Sequence, residues 1–350
     1  AYLSATGGDH TSVHFLRRTI RLTVIAACIA SLVWILAVPF LTEFFRIGST
    51  TVLLLCTPAF VFGVIAAAHR GFLQGKLAFG AAAAIILTEA IGKLMIAGGF
   101  VGAGLPSWTF LAIPLSLGVS ALVAWAFSRR LFQEVSVAGG EYHFPSAFYA
   151  GALMAGVSTA VFLSVDIVLV KHFLDPVRAG QYILLAIMGK MIFFLASLPA
   201  NFMLTFVSRE EGSGGSPLKV YRRIFMLTVL LAAIGVVALG TFGEHTVPFL
   251  LGAKAYAVAE HFGRYAAAIG LFAIANAIVA YHLARRQYVF PFASLLVSAA
   301  MAAGIWFRHD TIGDVVSVIT AVSGFGFLFI AALHLAENHL RFAGRALRDL

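Results

Sequence analysis

Runs of about twenty apolar residues, separated by short polar breaks, recur along the whole chain. Ten stand out, at 19–41, 50–68, 77–103, 107–127, 147–170, 179–206, 224–242, 263–284, 288–306 and 314–335. A bilayer core of about 30 Å is crossed by about 20 helical residues, so each run is long enough to span it. None alternates apolar and polar positions as a barrel strand does, and in lipid an unbroken apolar run satisfies its backbone as a helix. No break exceeds twenty residues, too little for a folded soluble domain. The pattern predicts an all-α integral membrane protein with ten transmembrane helices.

Composition sharpens this. Of 350 residues, 61% are hydrophobic and 11% charged, with a mean hydropathy of +0.96. A soluble domain is nearer half apolar and a quarter charged. A soluble enzyme, a disordered tail and a nucleic-acid-binding domain are thereby excluded. The net charge of +9 is explained by where the cations fall. Sixteen of the 24 Lys and Arg residues lie on the side holding the N-terminus, among them Arg17, Arg18, Arg70, Lys76, Arg222, Arg223, Arg285 and Arg286. Six lie on the opposite side, and Lys93 and Lys190 sit inside spans. By the positive-inside bias both termini are cytoplasmic. Cys28 and Cys56 fall in apolar runs and imply no disulfide framework.

The chain repeats itself. RRTIRLTVIAACIA at 17–30 aligns with RRIFMLTVLLAAIG at 222–235 with seven identities, Pro39-Phe40-Leu41 recurs as Pro248-Phe249-Leu250, and His69 and Gln74 match His282 and Gln287. Span one is thus in register with span seven. Six helices separate them, an even number, so the halves are parallel repeats about an axis along the membrane normal. The expected organisation is an incomplete N-terminal lobe of four helices (1–128), a cytoplasmic linker (129–145), a six-helix C-terminal lobe (146–335) and a cytoplasmic amphipathic tail (336–350). By symmetry two helices would precede span one, so a twelve-helix protein shortened at its front is expected, with a natural ten-helix protein as the alternative.

Four charges lie well inside spans: Glu89, Lys93, Asp166 and Lys190. Each costs about 2.5–3.5 kcal/mol at a helix centre, so such groups normally face a bundle interior or a wet cavity. Glu89 and Lys93 are spaced i, i+4, which also suits a self-neutralising pair. Lys93 and Lys190 both lie roughly 24 Å from the cytoplasmic end of their spans. Matched lysines from opposite halves suit a cavity that takes an anionic group. Asp166, about one turn higher, could instead neutralise Lys190. Smaller features read as structural. Gly98, Gly99 and Gly102 suit close helix packing, His69 and His282 sit at loop edges as interfacial residues, and Leu340, Ala343 and Leu347 form one face of an interfacial tail helix. No spacing suggests a metal site, a phosphate loop or a nucleophile elbow.

The segment 166–202 resembles the start of the second lobe of polysaccharide flippases, through Asp166, Val170, Lys171, Leu174, Ala179, Gly180, Tyr182 and Pro199. Arg70-Gly71 with Gln74-Gly75 resembles a turn of the same family's first lobe, and Leu251-Gly252 with Tyr256 is similar to its L-F-G-x-x-Y segment. These flippases belong to the multidrug/oligosaccharidyl-lipid/polysaccharide exporter (MOP) superfamily. The resemblance implies two lobes that alternate between inward- and outward-open states, and a location in the bacterial inner membrane. It implies a cargo of lipid-linked, pyrophosphate-bearing oligosaccharide of the O-antigen type, with membrane lipids and other polysaccharide-assembly proteins as partners. Lys93 and Lys190 are then the head-group candidates. Glu89 and Asp166 would bind a coupling H+ or Na+, or tune the lysines, and no other cofactor is implied. Against the family's twelve-helix pattern, two front helices are expected to precede the first span.

Two other functions compete. A drug/cation antiporter of the same superfamily would use acidic residues and few lysines in its cavity. An integral-membrane glycosyltransferase or polymerase would carry a charged catalytic loop outside the membrane. The longest outer loop, 242–262, has only Glu244, His245, Lys254, Glu260 and His261, so no enzyme is expected.

Overall fold

The computed structural model describes residues 8–45, 49–132, 146–243 and 253–346. Every regular element among them is helical, and ten stretches are long and apolar enough to cross a membrane. The all-α membrane architecture read from the apolar runs is the one observed. The helices fall into two compact units, residues 1–144 and 145–350.

The first unit holds α1 (Gly8–Phe44), α2 (Thr50–Leu55), α3 (Pro58–Gly75), α4 (Phe79–Gly102) and α5 (Ala112–Phe132), with a 3-10 turn at Pro106–Leu111 before α5. The second apolar run is therefore broken. Pro58 lacks an N–H and clashes with the preceding turn, so α2 ends and Pro58 opens α3 at its first position. In this unit α1 packs on α3, α3 on α5, and α4 on α5 and α3.

The second unit holds α6 (Ser146–Phe173), α7 (Pro176–Ser213), α8 (Pro217–Val236), α9 (Phe262–Ala284), α10 (Val289–Phe307) and α11 (Ile312–Ala346). Here α8 packs on α9, α9 on α11, and α10 on α11 and α9, the same pattern as the four long helices of the first unit. The packing thus repeats with the sequence. The helices α6 and α7 are additional, and α7 and α9 form the buried centre of the unit.

The hairpin from α6 to α7 is specified locally. Asp175 caps α7, accepting from the backbone N–H of Val177 and Arg178 at 3.0 and 3.1 Å, and Pro176 takes the first helical position. At the far end Gly214 closes α7 in the left-handed conformation, φ 71°. Between α6 and α10 a serine cluster replaces apolar packing: the Ser158 hydroxyl lies 2.7 Å from that of Ser294 and 2.8 Å from that of Ser298.

Several smaller expectations change. A β-carbon on Gly98, Gly99 or Gly102 would meet no neighbour, so these glycines make no close helix contact. His69 and His282 are buried within the protein. His282 stacks on Phe290, its Nδ1 lies 2.5 Å from Gln287 Oε1, and its Nε2 lies 2.7 Å from His334 Nδ1. The Gln287 amide in turn donates to Glu337 at 2.6 Å. These contacts clasp the α9–α10 turn to α11. The tail is not a separate helix, because α11 runs on to Ala346 with no proline or glycine between Gly326 and Gly344. The side chains of its proposed apolar face lie outside the described residues, as do 133–145 of the linker, Pro248-Phe249-Leu250 and Leu251-Gly252. Cys28 and Cys56 are both free thiols.

Candidate functional site

Asp166 lies on α6, nine residues before the Asp175 cap, and is 1% exposed. Lys190 lies on α7, fifteen residues after the cap, and is 6% exposed. Helical rise alone leaves these backbones about 9 Å apart in height. A helical side chain leans toward the helix N-terminus, and for Lys190 that direction is toward the hairpin and Asp166. The long lysine closes the remaining gap, and its Nζ donates to Asp166 Oδ1 at 2.8 Å.

The second carboxylate oxygen is equally occupied. Tyr182 Oη, on α7, donates to Asp166 Oδ2 at 2.8 Å, and Tyr265 Oη, on α9, donates to the same atom at 3.0 Å. Both tyrosines are fully buried and meet edge to face, ring centroids 6.2 Å apart. Gly189, next to Lys190, makes this possible: a β-carbon there would collide with the Tyr265 ring. Around the four polar groups lie Leu169, Val170, Leu185, Ala186 and Ile269, all buried. Deeper in the unit Phe162 stacks on Phe272 with centroids 3.6 Å apart.

The tetrad therefore carries one negative and one positive charge in an apolar interior. Taking each ion out of water costs several kcal/mol, and only close pairing with all remaining valences hydrogen-bonded offsets that. The carboxylate meets both conditions: Oδ1 accepts from Lys190, and Oδ2 accepts from both tyrosines. Three helices, α6, α7 and α9, converge on one carboxylate.

The second charged pair differs in kind. Lys93 Nζ lies 2.6 Å from Glu89 Oε1 along α4, with side chains 42% and 23% exposed. Gly92 shares this stripe, and a β-carbon there would lie 3.3 Å from Ser116 Cβ on α5. At both lysines the paired alternative is the one observed. Each ammonium is held by a carboxylate of its own unit. Nor does the repeat relate them, because α7 has no counterpart among the described helices of the first unit.

Compared with solved structures, the chain is similar to a multidrug resistance MATE family transporter of the MOP superfamily in an outward-facing conformation. The TM-score is 0.57 at 13% identity, over 94% of this chain and 79% of that one. The chain has a MATE-type fold. A second similar structure, a MATE protein in complex with Br-NRF, gives a TM-score of 0.52 at 13% identity, over 93% of this chain and 78% of that one. No family profile and no curated protein sequence matches the chain.

Within the MATE-type fold, reasoning from charge alone located Asp166 and Lys190 but missed Tyr182 and Tyr265 as their partners, and Gly189 as the space-maker. One signal was available. A tyrosine inside an apolar span must find a partner for its hydroxyl, and a buried carboxylate is the strongest acceptor such a span offers.

Proposed function

We propose that this chain is a membrane transporter of the MOP type, not an enzyme, working by alternating access. Its cargo is a lipid-linked, pyrophosphate-bearing oligosaccharide moved from the cytoplasmic to the outer leaflet of a bacterial inner membrane for surface polysaccharide synthesis. The observation that carries this reading is the meeting of Asp166 and Tyr182 at 2.8 Å. Both belong to the segment that resembles polysaccharide flippases, and they converge on one buried site in a MATE-type fold. The tetrad is then the coupling element. Lys93, half-exposed and held by Glu89 on its own helix, is the residue best placed to trade its carboxylate for a cargo phosphate. Moving a pyrophosphate through lipid without such compensation is prohibitive.

A drug/cation antiporter is the second reading. It is favoured by the neutralisation of both lysines by carboxylates, which leaves neither charged pair with a net positive charge. The test reconstitutes the full chain in vesicles with two probes: a fluorescent lipid-linked pyrophosphate oligosaccharide read by leaflet-selective quenching, and ethidium. Lipid exchange faster than in protein-free vesicles supports the flippase. Ethidium movement without lipid exchange supports the antiporter, and movement of neither probe refutes transport.

A further inference from the structure

Four oxygens converge at the tetrad: both carboxylate oxygens of Asp166 and the phenolic oxygens of Tyr182 and Tyr265. Hard cations such as Na+ favour a cluster of oxygens of this kind. Yet the cationic position is already filled. Lys190 Nζ lies 2.8 Å from Oδ1, on an ammonium that α7 delivers from within the same unit. We propose that Lys190 is the resident cation of this site and determines its ion specificity: the ammonium takes the place a Na+ would occupy, and the site therefore works without sodium.

Charge balance argues the same way. The pair is neutral as it stands. A Na+ added beside Lys190 would leave a net positive charge among Val170, Leu185 and Ile269, with the cost of a charge in an apolar medium. No second carboxylate among the described residues hydrogen-bonds to any of the four groups. Geometry adds a further obstacle, because both phenolic O–H groups point at Oδ2 and would have to turn away before their oxygens could face a metal ion. The ammonium needs no such rearrangement, since it donates where the metal ion would accept. Substitution of Lys190 by a neutral residue should uncover the oxygen cluster and convert it into a sodium site.

This inference rests on reading the tetrad as the coupling element, but its test is one of binding. The full chain is melted in detergent in NaCl and in choline chloride of equal ionic strength. Wild type melts at the same temperature in both. Lys190→Gln melts about 2 °C or more higher in NaCl, and the added Asp166→Asn change removes that rise. A Na+-specific rise in the wild type that Asp166→Asn abolishes would overturn the proposal, as would a Lys190→Gln protein indifferent to Na+. If Lys190→Gln folds in neither salt, wild type and Lys190→Arg decide: equal melting supports the resident cation, and a sodium-specific rise in either sinks it. Absence of cargo movement in vesicles, with these salt responses intact, counts against the transport reading alone.

Discussion

Gly189 and Tyr265 lie so close that no β-carbon fits between the α7 backbone and the tyrosine ring. The glycine lets a residue from a third helix pass across α7 and reach Asp166. Without it the carboxylate would be bound from α7 alone.

Gly189→Ala should therefore displace Tyr265 and break its 3.0 Å hydrogen bond to Asp166. Overpacking of this kind costs about 1–3 kcal/mol. Tyr265→Phe removes only the hydroxyl, and a hydrogen bond in a membrane bundle averages about 0.6 kcal/mol. Thermal melting in detergent should rank Gly189→Ala below Tyr265→Phe. The reverse order would mean that the ring does not lie across residue 189.

Asp166→Asn leaves the Lys190 ammonium buried without its counter-charge. Breaking one side of a buried pair costs about 3–5 kcal/mol, whereas replacing both partners by apolar groups is often neutral. Asp166→Asn should thus melt far below wild type, and Asp166→Leu with Lys190→Met should recover most of the loss. Additive losses in the double variant would argue against direct pairing.

Lys93 offers the opposite balance. Its pair with Glu89 lies within one helix and is partly exposed, so Lys93→Ala should change stability by less than about 1 kcal/mol. Exchange of the lipid-linked probe should nevertheless fall at least about tenfold, the effect of losing about 1.4 kcal/mol of cargo interaction. Unchanged exchange would remove Lys93 from the cargo path.

Ser158 bonds both Ser294 and Ser298, and Ser298 donates back to the Ser158 carbonyl at 2.8 Å. Ser158→Ala should cost about 1 kcal/mol, two lost membrane hydrogen bonds at about 0.6 kcal/mol each. Ser158→Leu should cost more, by wedging α6 from α10. Equal melting of both variants would show that the contact tolerates volume.

Orientation is checked separately. Ser213, exposed at the end of α7, should be labelled as a cysteine by a membrane-impermeant reagent only in opened cells, in a background lacking Cys28 and Cys56. Labelling of intact cells would invert the topology drawn from the arginine bias.

Much of the fold was legible because lipid leaves few options. An apolar run of twenty residues must be helical, and runs such as 263–284 and 288–306 are met by α9 and α10 almost end to end. Helix ends in water were less legible. There α1 and α7 continue for several residues past their apolar runs, because helix propensity and capping, not hydropathy, decide where they stop. Breaks inside a run depend on context: Pro39 and Pro199 stay within continuous helices, whereas Pro58 begins a new one. At the tetrad, burial cost marked Asp166 and Lys190 as exceptional. Their joining across the hairpin needed the lean of side chains on α7, and the role of Gly189 appears only once Tyr265 is seen above it. Sequence distance hides both facts.

The clasp at the α9–α10 turn carries its own consequence. An ionised Glu337 carboxylate has only lone pairs to offer, so Gln287 turns its amide nitrogen to it and its oxygen to His282. His282 then has to keep hydrogen on Nδ1, and a neutral imidazole so fixed leaves Nε2 to receive hydrogen from His334. The chain of contacts starts on α11 and returns to α11 one turn earlier. A single carboxylate thereby dictates the tautomer of one ring and the facing nitrogen of another, and the whole sequence of donors runs in one direction only.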